Sequence, residues 1–237
     1  MPLAGQPMVE WSIAAFREAE VRSIVVACPP GHVHDLAGGD VGVIDGGATR
    51  AESVRNALAA VGTELVAIHD AARPLVTPAL IKGVVATLLA DPDADGAIAA
   101  TPVTDTVKQV SDQPGRNALS PQTGAKTLQG VRDPRNPTGR NAFSPHEGEK
   151  TFHLVEGTVD RGRLWAAQTP QVFPVEALRA AIAGDPERVA AATDEAMLVE
   201  GAGGRVLIHP SSPENLKVTI PTDLRLAELL LAERSGE

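Results

Sequence analysis

Cysteine, tyrosine and a surplus of basic side chains are what this chain most lacks. Its 237 residues include one cysteine, Cys28, so no internal disulfide can form. The apolar neighbours in "SIVVAC" (23–28) mark that thiol as a buried core group rather than a nucleophile. Aromatics amount to 3% and tyrosine is missing, so Ala, Val, Leu and Ile must build the core. Acids outnumber bases, 30 Asp and Glu against 21 Lys and Arg, for a formal charge of −9. That balance excludes the broad basic face that a nucleic-acid backbone requires. It leaves room for a phosphorylated small molecule held by a few focused cations. No apolar run reaches the roughly 18 residues of a membrane span. The opening "MPLAGQPM" has neither the charged start nor the apolar stretch of a secretion signal, so a cytoplasmic protein is expected. There is no thiol–histidine pair, no CxxC or HExxH spacing and no nucleophile elbow, so the chain offers no metal-ligand set of its own.

What is present is an alternation of short apolar runs and helical patterns. "PMVEWSIAAFREAE" places Val9, Ile13, Phe16 and Glu20 at helical spacing, with Pro7 as a first-turn residue. Strands follow at "SIVVAC", "VGVI" and "ELVAIHD" (64–70), with a helix at "AESVRNALAAV". "TPALIKGVVATLLA" (77–90) reads as a helix with Thr77 as N-cap and Pro78 in the first turn. "GAIAATPV" (96–103) is a strand. Later come helices at "VEALRAAI" and "TDEAMLVEGAG", with Thr193 as the expected cap of the second. Strands at "RVLIHP" and "NLKVTI" precede a terminal helix opened by Pro221. This alternation predicts one α/β domain over 1–237, with a mostly parallel sheet covered by helices on both faces.

The pattern is interrupted once, from about Ser111 to Gly157. A direct repeat sits there, "GRNALSPQTGAKTLQGV" (115–131) against "GRNAFSPHEGEKTFHLV" (139–155). Two copies are too few for a solenoid, which needs about three units to bury a core. The composition, rich in Gly, Pro, Ser, Asn and charge, predicts a mobile insertion. The alternative is a paired binding element using Arg116, Lys126, Arg140 and Lys150.

Polar clusters stand at the ends of the strands. "IDGGATRAESV" (44–54) places Gly46 and Gly47 between a strand and a helix, ahead of Arg50 and Ser53. Such a turn can bring backbone N–H groups to an anion at a helix start, or it can be no more than a tight turn. "HDAARP" (69–74) ends a strand with Asp70, which can orient a ligand hydroxyl, and Arg73, whose fork of donors suits phosphate. A plain salt bridge between the two is the simpler alternative. "PVTDTVK" (102–108) adds Asp105, Thr106 and Lys108, and "VDRGRLWAAQTPQVF" (159–173) adds Arg161, Trp165, Thr169 and Gln171. Thr193, Asp194 and Lys217 complete the set. A lysine in an apolar run needs an acid or an anionic ligand. Arg50, Arg73, Arg161 and Lys217 together suit two anionic ligands, which favours transfer between phosphates.

In order, "PLAGQPMVEWSI", "GGATRAESV", "HDAARP", "PVTDTVK", "VDRGRLWAAQTPQ", "TDEAMLVE" and "NLKVT" resemble the 2-C-methyl-D-erythritol 4-phosphate cytidylyltransferase family. The resemblance covers nearly the whole chain except the repeat. It implies CMP transfer from CTP to methylerythritol phosphate in non-mevalonate isoprenoid synthesis, with Mg2+ brought by CTP and release of pyrophosphate. It implies a Rossmann-like nucleotidyltransferase sheet and a β-arm, here 103–165, that builds a homodimer. By motif, Gly47, Ala48, Arg50 and Ser53 would line the cytidine pocket, with Asp70 and Ala71 on the sugar-phosphate side. Asp70, Arg73, Thr106, Arg161, Thr169, Thr193 and Lys217 would hold the acceptor. Arg161, reaching over from the partner, and Lys217 would align the attacking oxygen, Asp70 completing the catalytic set.

Two departures stand out. The family has a strand and a Gly-rich loop bearing Arg and Lys just upstream of "PLAG", where this sequence has only Met1. The expectation is that the start lies further upstream; without that loop the chain would be a crippled dimerisation partner with unpaired sheet edges. The repeat lengthens the arm and is expected to loop out at its tip. A cytidylyltransferase for another alditol phosphate, such as ribitol 5-phosphate, is the neighbouring alternative.

Overall fold

The computed structural model describes residues 2–31, 41–114 and 153–236. They divide into two units, Met1–Pro102 with Trp165–Glu237, and Val103–Leu164.

The first unit opens with β1 (Pro2–Leu3) and β2 (Gln6–Pro7), an antiparallel pair leading into α1 (Met8–Glu18). There follow β3 (Ile24–Cys28), β4 (Val41–Asp45), α2 (Arg50–Ala59), β5 (Leu65–Ile68), α3 (Pro78–Leu89) and β6 (Gly96–Pro102). The second unit holds β7 (Lys108–Pro114), β8 (His153–Thr158) and a single 3-10 turn, Arg161–Arg163. Back in the first unit come β9 (Trp165–Pro174), α4 (Val175–Ile182), α5 (Pro186–Ala191), α6 (Glu195–Gly201), β10 (Val206–Pro210) and α7 (Pro221–Ser235).

The main sheet has the order β10-β6-β9-β5. β10 pairs parallel with β6, whereas β9 runs antiparallel to both β6 and β5. Three of the four strands therefore share one direction, as the strand–helix alternation implies, and β9 is the exception. It runs backwards because it returns from the second unit rather than from a crossover helix. The stretch Trp165–Pro174, read above only as a polar cluster, is this central strand. Its residues 168–173 are all buried, and Phe173 and Val172 pack at 0% and 1% exposure.

α3 shows how composition sets the layers. Thr77 Oγ1 accepts from the Leu80 amide at 3.2 Å and Pro78 occupies the first turn. Ile81, Val84 and Leu88 then recur at helical spacing; Val84 and Leu88 bury against Ala97, Ala99 and Val172, and Ile81 against Phe16 and Val76. On the opposite face, Val54, Leu58, Leu178 and Leu198 pack around Ile98 and Phe173. Among the described residues β3 pairs only with β4, parallel, and β5 only with β9. A cavity of about 470 Å³ lies between β3 and β5, lined by apolar side chains such as Ile24, Val26, Val66 and Ile68. At one end it reaches Arg50, Ser53 and Asp70.

Three expectations need correction. "NLKVTI" forms no strand: one backbone bond, the Val218 amide on Ala72 O at 2.7 Å, joins it to the loop after β5, while the Thr219 and Ile220 amides bond Asp223 at the start of α7. The cap of α6 is Asp194, not Thr193, because the Asp194 carboxylate accepts from the Met197 amide at 2.9 Å. Residues 111–114 and 153–157, read as part of the insertion, extend β7 and β8. Arg116, Lys126, Arg140 and Lys150 lie outside the described residues.

Candidate active site

Asp70 ends the run that begins as β5, and two cations from distant parts of the chain, with a third three residues on, converge on it. Lys217 Nζ lies 2.9 Å from Oδ2, Arg50 Nη2 3.7 Å from Oδ1, and Arg73 Nε 4.0 Å from Oδ2. Burial alone would raise the Asp70 carboxyl. The Lys217 hydrogen bond and the charges of Lys217, Arg50 and Arg73 outweigh it and hold the carboxyl below its ordinary value. The simple pairing of Asp70 with Arg73 is therefore only one edge of a larger cluster. Arg73 sends Nη1 to Asn215 O at 2.7 Å and Nη2 to Ala167 O at 3.4 Å, and its buried Nε has no hydrogen-bond partner. Burial lowers its guanidinium from the usual range, against the pull of Asp70.

Arg50 is held from behind by Glu195. Both guanidinium ends bond the two carboxylate oxygens, Nη2 to Oε2 at 2.7 Å and Nη1 to Oε1. Glu195 is 1% exposed, the first residue of α6 after the Asp194 cap, and Arg50 opens α2. The bidentate pair thus ties two helix starts together across the site. Burial falls hardest on the more enclosed partner and pulls the Glu195 carboxyl up. Burial would lower the more open Arg50, but Glu195 and Asp70 hold it more firmly charged. Sequence reasoning missed Glu195. Its signal was an acid one place beyond an N-cap in an otherwise apolar helix.

The Gly-rich turn resolves toward the tight turn. Gly46 N donates to Cys28 O at 2.6 Å, Gly47 N to Ser53 Oγ at 3.0 Å and Ala48 N to Glu52 Oε2 at 2.7 Å. Thr49 caps α2 by accepting from the Glu52 amide at 3.1 Å. A Cβ on Gly47 would lie 2.1 Å from Glu52 Cβ, so the turn closes only without a side chain. The amides of Gly47 and Ala48 are engaged inside the protein, while Arg50 and Ser53 line the cavity mouth beside Asp70 and Ala71.

β9 organises these loops through its polar side chains. Gln168 accepts from Asn215 Nδ2 at 2.9 Å and donates to Ser212 O at 3.3 Å, fixing the segment that carries Lys217. Thr169 Oγ1 accepts from the Asp70 amide at 3.1 Å and bonds His69 Nδ1 at 2.9 Å. Gln171 donates to Asp194 Oδ2 at 2.9 Å and accepts from the Ala196 amide at 3.2 Å, fixing the start of α6. Thr169 is 4% exposed, so it meets the site mainly through its neighbours. Thr193 is exposed just before that helix.

Thr106 and Arg161 belong to the second unit. They share a recess with Thr158, Val159 and Asp160, and Arg161 donates through Nη1 to Thr104 O. Asp160 Oδ1 accepts from the Gly162 amide at 3.0 Å and shapes that turn.

The α/β fold that carries this cluster of cations is that of a nucleotidyltransferase-like protein, as the solved structures of similar fold show. The 2-C-methyl-D-erythritol 4-phosphate cytidylyltransferase of Thermus thermophilus superposes with a TM-score of 0.70 at 31% identity, over 97% of this chain and 90% of its own. Residues 1–134 and 147–233 match the 2-C-methyl-D-erythritol 4-phosphate cytidylyltransferase family, and the chain belongs to it. Relatives carrying that name include the proteins of Symbiobacterium thermophilum and Rubrobacter xylanophilus. The first is 36% identical over all of this chain and 86% of its own, the second 37% identical over 98% and 86%.

Proposed function

We propose that the protein transfers CMP from CTP to 2-C-methyl-D-erythritol 4-phosphate and releases pyrophosphate, within isoprenoid precursor synthesis. The observation that carries this reading is the convergence of Arg50, Arg73 and Lys217 on Asp70, from three separate stretches of chain. An oxygen of the acceptor phosphate attacks the α-phosphorus of CTP, and the bond from that phosphorus to the β-phosphate bridging oxygen breaks. Both reactants are anions, so the protein's task is to bring them in line and neutralise their repulsion. Lys217 and Arg73 are suited to the acceptor phosphate, and Asp70 draws both toward one carboxylate oxygen and can accept from an acceptor hydroxyl. Arg50 and Ser53, with Ala71, lie on the side proposed for the nucleotide, and Gly47 and Ala48 shape its turn. Thr193 stands at the exposed rim.

Arg161 and Thr106 would complete the site from the second unit of a partner chain. Val110, Leu154 and Val155 are 44%, 65% and 52% exposed on that unit, apolar surface that supports homodimer formation through the arm. No described helix is long and apolar enough to cross a membrane, and a cytoplasmic setting suits these soluble, highly charged substrates. Mg2+ would come with CTP. The described residues gather no three acids or histidines into a cage, and Asp70 is already engaged by cations. The triphosphate oxygens would then hold the ion, which supplies charge neutralisation.

The test is pyrophosphate release from CTP with methylerythritol phosphate, and with ribitol 5-phosphate as the competing acceptor. Preference for ribitol phosphate, or no release with either, overturns the proposal. Lys217→Ala and Arg161→Ala should each lower turnover at least ~100-fold with little change in melting temperature; retained turnover removes them from the reaction.

A further inference from the structure

We propose that His69 is a positioning residue, a neutral clasp that sets the main chain of Asp70 and Arg73 through Thr169. The ring sits beneath the site, stacked at a tilt on Phe16 with centroids 5.3 Å apart. Its Nε2 lies 3.2 Å from Arg73 O. A carbonyl oxygen only accepts, so Nε2 carries the proton, which Ser12 Oγ shares at 3.3 Å. Nδ1 is then bare and accepts from the Thr169 hydroxyl at 2.9 Å. That hydroxyl in turn accepts from the Asp70 amide at 3.1 Å.

The donors therefore run one way, from the Asp70 amide to the Thr169 hydroxyl to His69 Nδ1, while Nε2–H secures Arg73 O. The turn is also closed by the Arg73 amide on Asp70 O at 2.9 Å. Its motion would not stay local. Arg73 bonds Asn215 O, and Ala72 O accepts from the Val218 amide at 2.7 Å, so Lys217 hangs between two points of the same loop. The clasp thereby holds Asp70, Arg73 and Lys217 in one geometry. Burial keeps the ring neutral, lowering its pKa to about 4, so the tautomer persists at neutral pH.

The catalytic part of this inference rests on the proposed transfer; the clasp itself does not. The experiment compares the full chain with Thr169→Val, His69→Gln and His69→Asn. Asparagine keeps an acceptor near the Nδ1 position, and glutamine keeps a donor near Nε2. Imidazole 15N spectra of the unsubstituted protein should show the Nε2–H tautomer from pH 6 to 8. Amide exchange at Asp70 should quicken at least tenfold in Thr169→Val and His69→Gln and return most of the way in His69→Asn. Turnover should follow the same order through kcat, with KM for CTP changed less than threefold. An Nδ1–H tautomer, unchanged Asp70 exchange in Thr169→Val, or faster exchange with unchanged kcat overturns the proposal. An unsubstituted protein without turnover would refute the transfer reading instead, leaving tautomer and exchange to decide the clasp.

Discussion

Replacing Glu195 with glutamine should loosen the two helix starts that meet behind the site. The carboxylate is 1% exposed and bonds both ends of Arg50. Removing one partner of a buried ion pair costs about 3–5 kcal/mol. Three features reduce that here. The Arg50 side chain is 39% exposed and can rehydrate in part, and Asp70 remains 3.7 Å away as a second acid. Glutamine also keeps one acceptor oxygen. The expected loss is about 2 kcal/mol, or roughly 4–8 °C in melting temperature for a chain of this size. The assay is thermal unfolding of Glu195→Gln, Arg50→Ala and the double variant. Coupling of about 1.5–2 kcal/mol between the two positions is expected, because the double variant leaves no orphaned charge. Additive losses, or a Glu195→Gln protein melting within about 1 °C of the original, would refute the bracket between α2 and α6.

Asp70 is held below its ordinary value of 3.8, so its stabilising contribution is present above that pH and disappears as pH falls through its lower folded value. Asp70→Asn should therefore flatten the acid limb of the stability curve below about pH 4, as read by urea unfolding across pH. His69 has the same sign: its folded value of about 4 against 6.5 makes protonation favour the unfolded chain. Stability should fall as pH drops from about 6.5 to about 4, by about 3 kcal/mol in total, and a His69→Asn protein should lack that slope. Gly47→Ala would force its Cβ against Glu52 and displace the first turn of α2. A loss of about 1–3 kcal/mol in denaturant unfolding is expected, with CTP affinity weakened beside it.

Much of the architecture is visible in local pattern. Thr77 and Pro78 start α3 where their chemistry says they should, and the apolar spacing of Ile81, Val84 and Leu88 locates its buried face. Asp70, Arg73 and Lys217 were legible because charged side chains next to apolar runs demand partners. Trp165–Pro174 was not legible as a strand, since its glutamines and threonine break the apolar run that marks a buried strand. Those side chains are buried because each has a partner on a neighbouring loop, and no local pattern reports a distant partner. Glu195 was missed for the same reason, as Arg50 stands 145 residues away. Lys217 was placed in a strand because its apolar neighbours resemble one, yet the Thr219 and Ile220 amides are drawn instead to Asp223.

Composition and periodicity were enough for the α/β class, the start of α3 and the cations and acid at the strand ends, Arg50, Asp70, Arg73 and Lys217. Propensity, caps and the hydrophobic period act within a few residues of each other, so a linear reading can follow them. The grouping of those charges was settled by the fold. Arg50, Asp70, Arg73, Glu195 and Lys217 come together because β9 runs backwards through the sheet and clasps three loops with three polar side chains. Electrostatic energy depends on distances of a few ångströms between residues far apart along the chain, and only folding creates those distances.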